Sequence, residues 1–457
     1  MEYSAPSNFK VFAASATEIF DVTSPGSPTV PPAAAVSGRT TGYYSYVNFA
    51  TSGGNFLTAV NGSDPLLLYD TVGGWVPITG VSSPAITGIS TSALSYVWNY
   101  RNRQFFIEGS TLRAWYLPVN SIAGAANVID LNGVFQRGGK LLFGATWSMN
   151  AGNGLDDKCV FVTDQGEVAV YQGFNPGDAN NWGLVGRYDM TSPMGSRAFC
   201  RVGGDLLIGV KDGIVPISSA VSKDPAALSL AAVTRAVTPD WKREVIARST
   251  HPWEIVKWPE KSMLVISMPS SSAGQDHIAY VANVETGAWC RFVGMNIRCT
   301  VLSNGRLFFG TSDGKVKEAE IGGTDDGAGI YYTIIGNPEY LGNRAAVKTL
   351  LQARATYIGS TPFVDKISVS TDYKINLPTA PNAAPDVSLS EWDAGLWDVA
   401  LWDGEARSSS VRAKWVSIGR TGYAFQYQVQ VTGGLTPAPD NEFISLDLLY
   451  ETGGIVV

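Results

Sequence analysis

The sequence predicts an all-β protein, with a β-propeller-like ring of short antiparallel sheets (about six blades) followed by a C-terminal β-sandwich-like domain. The first observation is composition: the 457 residues include 49 Gly, 24 Pro and 11% aromatics, with only 16% charged residues. The second is a near absence of helical periodicity, and the third is a recurring strand–turn–strand unit. Disordered chains are charge-rich and poor in aromatics, and coiled coils contain little Gly, so both classes are excluded.

The recurring unit is an apolar strand, a polar turn and a second apolar strand. In one copy, NFLTAV at 55–60 leads through Asn61-Gly62 to LLLYD at 66–70. Units begin near residues 10, 55, 104, 140, 205, 262 and 306. Their spacing brackets the roughly 40–50 residues typical of a propeller blade. Seven partial units suit six or seven blades, and the first strand could close the ring with the last.

A ring is favoured because one such sheet is apolar on both faces and cannot bury them alone. Radial stacking of sheets covers both faces and protects the strand edges. The best helical candidate is the short segment 225–233, which is rich in Ala and Leu.

The pattern changes near the Gly-rich cluster at 322–327, which predicts a propeller-like domain at 1–322 and a sandwich-like domain at 323–457. The later strands are longer, and Phe425, Tyr427, Val429 and Val431 alternate with three glutamines, as in a sandwich strand. A loop at 378–410 is too rich in Pro and Asp for a strand. The strands are predicted at 330–335, 350–358, 364–370, 411–419, 424–431 and 443–450.

The charge balance limits the classes of partner. With 33 basic and 40 acidic residues the net charge is −7, and no Lys/Arg cluster suggests a grip on phosphates. Sequence-specific nucleic-acid binding is therefore not expected, whereas an acidic wall along which nucleic acid slides is compatible with this balance. The first hundred residues contain only seven charged residues, which burial against neighbouring subunits would explain.

The four cysteines are spaced too irregularly for a metal motif or a disulfide framework. We predict that Cys159, Cys200, Cys290 and Cys299 are reduced, small apolar core residues, with a Cys290–Cys299 bridge as the alternative. No secretory signal and no apolar run of about 18 residues is visible, so neither export nor membrane insertion is expected.

Nothing in the sequence indicates catalytic or cofactor chemistry. The only histidines are His251 and His277, and neither belongs to a recognisable nucleophile–base or zinc pattern. There is no phosphate-binding loop or dinucleotide fingerprint, and the acidic pairs at 156–157 and 325–326 lack the spacing of a calcium loop. We therefore expect no enzymatic activity, no cofactor and no metal.

The most unusual segment has Trp-Asp pairs every five residues. Trp392, Trp397 and Trp402 are each followed by Asp, at a spacing that matches neither helix nor strand. The rings could fold onto the sandwich, or they could form a contact patch for another subunit or for sugar. We treat the three tryptophans as candidate interface residues. A second group of Trp and charged residues, at 241–244 and 253–258, predicts a solvated blade edge.

Three stretches resemble the tail nozzle proteins of short-tailed bacteriophages, also described as tail tubular or packaged-DNA stabilisation proteins. They are SGRTTGYYSYVNF at 37–49, GGNFLTAVNG at 53–62 with the blade that closes at Trp289, and KWVSIGRTGYA at 414–424 continuing to Val431. The resemblance covers most of the chain as a pattern and contains no diagnostic motif. Some members have large extra N-terminal domains, whereas this chain enters its first repeat within about ten residues. On this resemblance the chain is a compact member of the family, or it builds from other segments the platform that those extra domains form.

The resemblance implies a structural virion protein in the tail, assembled in the host cytoplasm. Members form a homohexameric ring below the portal and its adaptor, extend the DNA channel, retain the packaged genome and conduct it during ejection. The expected partners are copies of the chain, the portal adaptor and passing double-stranded DNA, with tail fibres or spikes as further candidates. No catalytic residue is carried over from the family.

Two other functions remain open. A carbohydrate-binding or carbohydrate-active propeller is suggested by the 13 Trp, although the Ser-x-Asp-x-Gly-x-x-Trp boxes of sialidases are missing. The second alternative is a propeller scaffold that recruits peptides. Against it, the nearly uncharged first hundred residues favour permanent burial in an assembly.

Overall fold

The computed structural model describes the chain except residues 7, 28–29, 149–156, 249–251, 269–276, 362, 384–409, 435–439 and 456–457. The chain forms two compact units, Met1–Ala319 and Glu320–Val457. The described residues are mostly strand, which confirms the all-β class.

The first unit contains seven small antiparallel sheets among its described residues, each built from consecutive strands. Sheet 1 contains β1 Glu2–Ala5, β2 Asn8–Ala14, β3 Ile19–Asp21 and β4 Ala34–Val36. Sheet 2 contains β5 Ser45–Thr51, β6 Gly54–Val60, β7 Leu66–Asp70 and β8 Gly74–Ile78. Sheet 3 contains β10, β11, β12 and β14, while β9 and β13 form a short parallel pair beside it. Their bounds are β9 Ile86–Thr87, β10 Leu94–Tyr100, β11 Arg103–Glu108, β12 Arg113–Tyr116, β13 Gly124–Ala125 and β14 Asn127–Asp130.

Sheets 4 to 7 complete the unit. Sheet 4 contains β15 Leu141–Trp147, β16 Lys158–Thr163, β17 Glu167–Gly173 and β18 Trp182–Asp189, and sheet 5 contains β19 Phe199–Val202, β20 Asp205–Val210 and β21 Gly213–Pro216. Sheet 6 contains β22 Glu254–Trp258, β23 Met263–Met268, β24 Ile278–Asn283 and β25 Trp289–Val293. Sheet 7 contains β26 Cys299–Ser303, β27 Arg306–Gly310 and β28 Val316–Glu318. Three α-helices follow sheet 5, α1 Ile217–Ser222, α2 Leu228–Ala231 and α3 Thr238–Ala247. Single 3₁₀ turns occur at Thr91–Ala93, Pro225–Ala227, Val233–Val237 and Pro259–Lys261.

The sheets are the blades of a propeller because the first strands of successive sheets contact one another around a ring. Asn99 Nδ2 of β10 donates to the Asn48 carbonyl of β5 at 2.8 Å, and Thr146 Oγ1 of β15 donates to the Asn99 carbonyl at 2.7 Å. Phe143 of β15 stacks on Phe199 of β19 with centroids 4.4 Å apart. The circuit continues through β22 and β26 and returns from β26 to β1. The propeller is thus confirmed, with seven blades rather than about six.

The ring closes between the first and the last blade. Strand β1 pairs with β2 in the first blade, and β26 pairs with β27 in the last. The ring closes by contact of β1 with β26, without a strand common to both blades in the described part of the chain.

Most predicted units begin at the second strand of a blade. The glycine that recurs at the end of their apolar segments allows adjacent blades to pack closely. A β-carbon at Gly144 would overlap the indole ring of Trp98 in the preceding blade. A β-carbon at Gly209 would lie 3.0 Å from the side chain of Ile255 in the following blade. Glycine at these positions lets adjacent blades approach closely.

The helical segment of blade 5 is longer than predicted. The 225–233 candidate contains α2, but α1 and α3 were missed. Residues Ile217, Ala220 and Leu228 pack into the core of blades 3 to 5. The longest helix in the described residues, α3, has ten residues, and none of these helices has the length and apolarity of a membrane span.

The second unit is a two-layer β-sandwich, and all six predicted long strands are present. The bounds are β29 Thr324–Asp325, β30 Ala328–Gly329, β31 Tyr331–Ile335, β32 Ala346–Gly359, β33 Phe363–Thr371, β34 Ser410–Gly422, β35 Phe425–Gly433 and β36 Asn441–Ile455. One sheet has the order β31-β35-β33 and the other β34-β32-β36. Ala353, Tyr357, Val429 and Val431 pack together between them.

The glutamine face of β35 is buried rather than solvated. Gln428 is fully buried and is hydrogen-bonded to Ser368 at 2.8 Å and Ser370 at 2.6 Å. Residues after β33 cover this face, since Thr432 Oγ1 donates to the Pro381 carbonyl. Both faces of the central strand are therefore covered.

Candidate functional site

The strongest polar cluster in the first unit lies at the hub of the propeller. Arg197 of blade 5 forms an ion pair with Glu254 of blade 6, with Nη1 and Oε1 2.7 Å apart. The two residues also form an isolated parallel backbone bridge, so adjacent innermost strands are held at this point. The Arg197 side chain is 30% exposed and the Glu254 side chain 11% exposed.

Further contacts tie this pair to two other blades. Arg197 Nη2 donates to the Tyr44 carbonyl at 3.2 Å, and the guanidinium lies 5.6 Å from the centre of the Tyr46 ring, both beside blade 2. The backbone N–H of Thr300 in blade 7 donates to Glu254 Oε2 at 2.6 Å. One ion pair therefore links four of the seven blades.

The electrostatics of the hub favour a charged Arg197 and a neutral Tyr46. Burial raises the pKa of Tyr46 to about 12, so the phenol stays neutral near pH 7. Burial opposes the charge on Arg197, but Glu254 and the other neighbours of the guanidinium together outweigh it, and the pKa of Arg197 is raised.

These residues line a cavity of about 280 Å³ together with Tyr96, Phe199 and Thr300. The ion pair and its contacts therefore fasten blades 2, 5, 6 and 7 to one another around this cavity.

The sequence patterns gave no site role to Arg197 or Glu254. The available signal was an acidic residue at the start of a strand in which only Lys257 is also charged, EIVKW. Isolated buried charges of this kind require partners from other strands, which the sequence does not identify.

The candidate interface residues Trp392, Trp397 and Trp402 lie outside the described residues, together with the carboxylates that follow them. Their proposed role stays a prediction. Of the ten tryptophans that the structure describes, nine are buried or half-buried and only Trp415 is exposed, at 41%. Its ring lies 4.8 Å from the guanidinium of Arg354.

The prediction of a solvated edge at 241–244 and 253–258 is wrong. Trp241 on α3 is fully buried and its ring lies 5.0 Å from that of Trp253. Strand β22 is the innermost strand of blade 6 and ends at the buried Trp258. The charges misled the prediction because Lys242 and Arg243 occupy the opposite face of the same helix.

The cysteine prediction is half right. Cys159 and Cys200 are buried, whereas Cys290 and Cys299 are exposed, and none of the four forms a disulfide. His277 is half-buried ahead of β24, and His251 falls outside the described residues. Across the described ranges, no three His, Cys, Asp or Glu side chains are grouped so that they could hold a metal ion.

A second feature is the low-charge sector, residues 1–100, which comprises blades 1 and 2 and the start of blade 3. Each of its seven charged residues is buried or half-buried. Two ion pairs account for four of them, Lys10–Asp21 at 2.7 Å and Arg39–Asp64 at 3.6 Å. In contrast, Val72 is 98% exposed and Val81 is 96% exposed. This sector thus offers solvent a surface that is poor in charge and has protruding apolar side chains.

The two units also differ in charge. Residues 1–319 contain 24 basic and 24 acidic residues, whereas residues 320–457 contain 9 basic and 16 acidic residues. The whole net charge of −7 therefore belongs to the second unit.

Comparisons with known proteins add little beyond the fold. No protein-family model and no curated protein matches the chain. Similar solved structures include the β-propeller domain of Myceliophteria thermophila Cps50 (Swd1), with 11% identity over 68% of this chain and 91% of that one, and a TM-score of 0.40. A putative 6-phosphogluconolactonase from Bacteroides fragilis NCTC 9343 has 12% identity over 70% of this chain and 92% of that one, with a TM-score of 0.39. Saccharomyces cerevisiae Sqt1 has 11% identity over 69% of this chain and 81% of that one, with a TM-score of 0.38. At this distance they carry no argument about function.

Proposed function

We propose that the chain is a structural subunit of a short-tailed bacteriophage tail. Several copies, six by analogy with the nozzle proteins it resembles, form a ring that extends the DNA channel below the portal and adaptor. The ring retains the packaged genome and conducts it during ejection. In this proposal the chain is not an enzyme and belongs to the virion.

The observation that carries the proposal is the low-charge sector. A free protein keeps its surface soluble with exposed charges, and contiguous uncharged surface with protruding apolar groups is typical of contacts between proteins. Val72 and Val81 are almost completely exposed there, while every charged side chain of the sector is at least half-buried. Contact with other tail subunits would cover this surface.

Two further features support a passive conduit. The Arg197–Glu254 pair and its contacts link four blades across the propeller hub, so the proposal places DNA at the centre of a ring of copies and not inside one propeller. The acidic surplus lies entirely in the second unit, and like charge repels the phosphates of DNA. An acidic lining would let DNA slide without sticking.

The test is the mass and shape of the purified protein, by size-exclusion chromatography with light scattering and by electron microscopy of negatively stained particles. We expect a closed ring with a central hole. The substitution Val72→Lys should reduce assembly of the subunit with itself or with the adaptor, because it places a charge in the contact. Ile246→Lys, on an 82% exposed residue of α3, is the matched control. A chain that stays monomeric at every concentration and binds no adaptor would contradict the proposal.

The carbohydrate alternative has less support. Sugar stacking needs exposed aromatic rings, and within the described residues Trp415 is the only exposed tryptophan. The other exposed aromatic side chains among the described residues are Tyr and Phe, so a tryptophan-based sugar site would depend mainly on Trp392, Trp397 and Trp402. Glycan-array binding that disappears in Trp397→Ala would favour it, and an array without signal would count against it.

A further inference from the structure

The outer sheet of the sandwich has two long strands with free edges. β34, β32 and β36 contain 13, 14 and 15 residues, and β32 pairs with both of the others. Among the described residues no strand pairs with the outer edge of β34 or of β36. Long unpaired edges invite pairing with another chain, and monomeric proteins usually shorten or block them.

The two edge strands have opposite charge. The charged residues of β34 are Arg412, Lys414 and Arg420, all basic and all exposed. Those of β36 are all acidic: Glu442, Asp447 and Glu451. Asp447 is paired within the sheet with Arg354 at 2.7 Å, whereas the side chains of Glu442 and Glu451 are exposed. One edge is thus positive and the other negative.

We propose that β34 of one copy lies along β36 of the next copy, so that the sandwich sheets of neighbouring subunits join edge to edge. This inference rests on the proposed ring and identifies one of its interfaces. Opposite charges attract β34 to β36, and like charges disfavour β34 against β34 or β36 against β36. Contact between two different surfaces is head-to-tail, which is the arrangement that closes rings.

Apolar groups lie on the same strands. Val411 on β34 and Ile444 and Leu449 on β36 are exposed, although valine, isoleucine and leucine are usually buried. Edge pairing would cover part of this surface and satisfy the free backbone groups, so charge would select the partner while backbone and apolar contacts stabilise it.

Charge reversal tests the pairing in the full-length chain. The first variant carries Arg412→Glu and Lys414→Glu, which makes both edges acidic. The second carries Glu442→Lys and Glu451→Lys, which makes both edges basic. The third combines all four substitutions and so exchanges the two edges. The control, Lys140→Glu with Lys211→Glu, changes the net charge as the first variant does, at two exposed lysines of the propeller.

We expect each of the first two variants to need at least about tenfold more protein for half-maximal assembly, measured by light scattering at low salt. An equimolar mixture of these two should assemble, because acidic edges then meet basic ones. The combined variant should assemble like the unmodified chain, and so should the control. In the unmodified chain, hydrogen exchange at the β34 and β36 amides should slow on assembly.

The outcomes separate this inference from the proposed function. A ring that survives both reversals, or that is weakened equally by the control, overturns the edge pairing and leaves the ring proposal standing. Failure of the mixture and the combined variant to assemble also overturns the pairing. An unmodified chain that never assembles contradicts both.

Discussion

The two units differ in their strand edges: the outermost strand of each propeller blade has three to eight residues, whereas β34 and β36 have 13 and 15. In the propeller, the innermost strands are fastened to their neighbours by polar contacts such as Asn99 to Asn48 and Arg197 to Glu254. In the sandwich, one sheet ends in β34 and β36, whose outer edges lack strand partners within the described ranges. The difference shows how one chain can combine a ring of short, mutually fastened blades with long strand edges that can pair with another copy.

Charge follows the same division. The propeller has no net charge and every charged side chain in its first hundred residues is at least half-buried, while the sandwich unit has the entire acidic surplus. Substitutions in each unit should therefore affect different properties, and the following experiments test whether the units behave independently.

The largest effect is expected from Trp241→Ala in the propeller. The indole is fully buried between α3 and blades 5 and 6, where its ring lies 5.0 Å from that of Trp253. Loss of a buried tryptophan costs about 3–5 kcal/mol of folding free energy. Calorimetry should show a lower transition temperature for the propeller with an unchanged sandwich transition. Ile246→Ala, on the exposed face of α3, should change little, and an equal shift of both transitions would contradict independence of the units.

A smaller effect is expected from Gln428→Ala in the sandwich. The buried amide bonds the hydroxyls of Ser368 and Ser370, which would lose their partner. The cost should be about 2 kcal/mol, since buried polar groups left unpaired cost roughly 1–3 kcal/mol. Urea unfolding of the sandwich transition measures it. The exposed Gln352 on β32 provides the matched control Gln352→Ala, and equal destabilisation by the two would argue against the hydrogen-bond explanation.

The smallest effect is an acid dependence confined to the propeller. Burial alone would raise the pKa of Glu167, but the N–H groups of Gln136 and Arg137 and the Arg187 guanidinium outweigh it, and the pKa is lowered. A carboxyl with a lowered pKa stabilises the fold above its ordinary value of 4.5 and loses that contribution as pH falls through the folded pKa.

Glu167→Gln should therefore destabilise the propeller at pH 7, by about 1 kcal/mol or more, and flatten its stability profile below about pH 4.5. Thermal unfolding across pH 3 to 7 measures this, with the exposed Glu285→Gln as control. If the stability of the Glu167→Gln variant still falls with decreasing pH as in the unmodified chain, other carboxyl groups cause the acid dependence.

Sequence patterns predicted the hairpins of the propeller well, because a hairpin depends on neighbouring residues. Asn304 and Gly305 both have positive φ between β26 and β27, the conformation that an Asn-Gly turn favours. The long alternating strands of the sandwich were predicted for the same reason. The blade number and α3 were less accessible, since Trp241 is buried only through contacts with residues distant in sequence, such as Tyr280.

The sequence by itself determined the all-β class, the strand-rich repeats, the change to longer strands after residue 322 and the scarcity of charge in the first hundred residues. These depend on composition and local periodicity. Only the tertiary structure decided that there are seven blades, that Arg197 meets Glu254 at the hub and that the basic β34 and acidic β36 are opposite edges of one sheet. Contacts between residues far apart in the chain depend on how the strands are assembled, which local patterns do not encode.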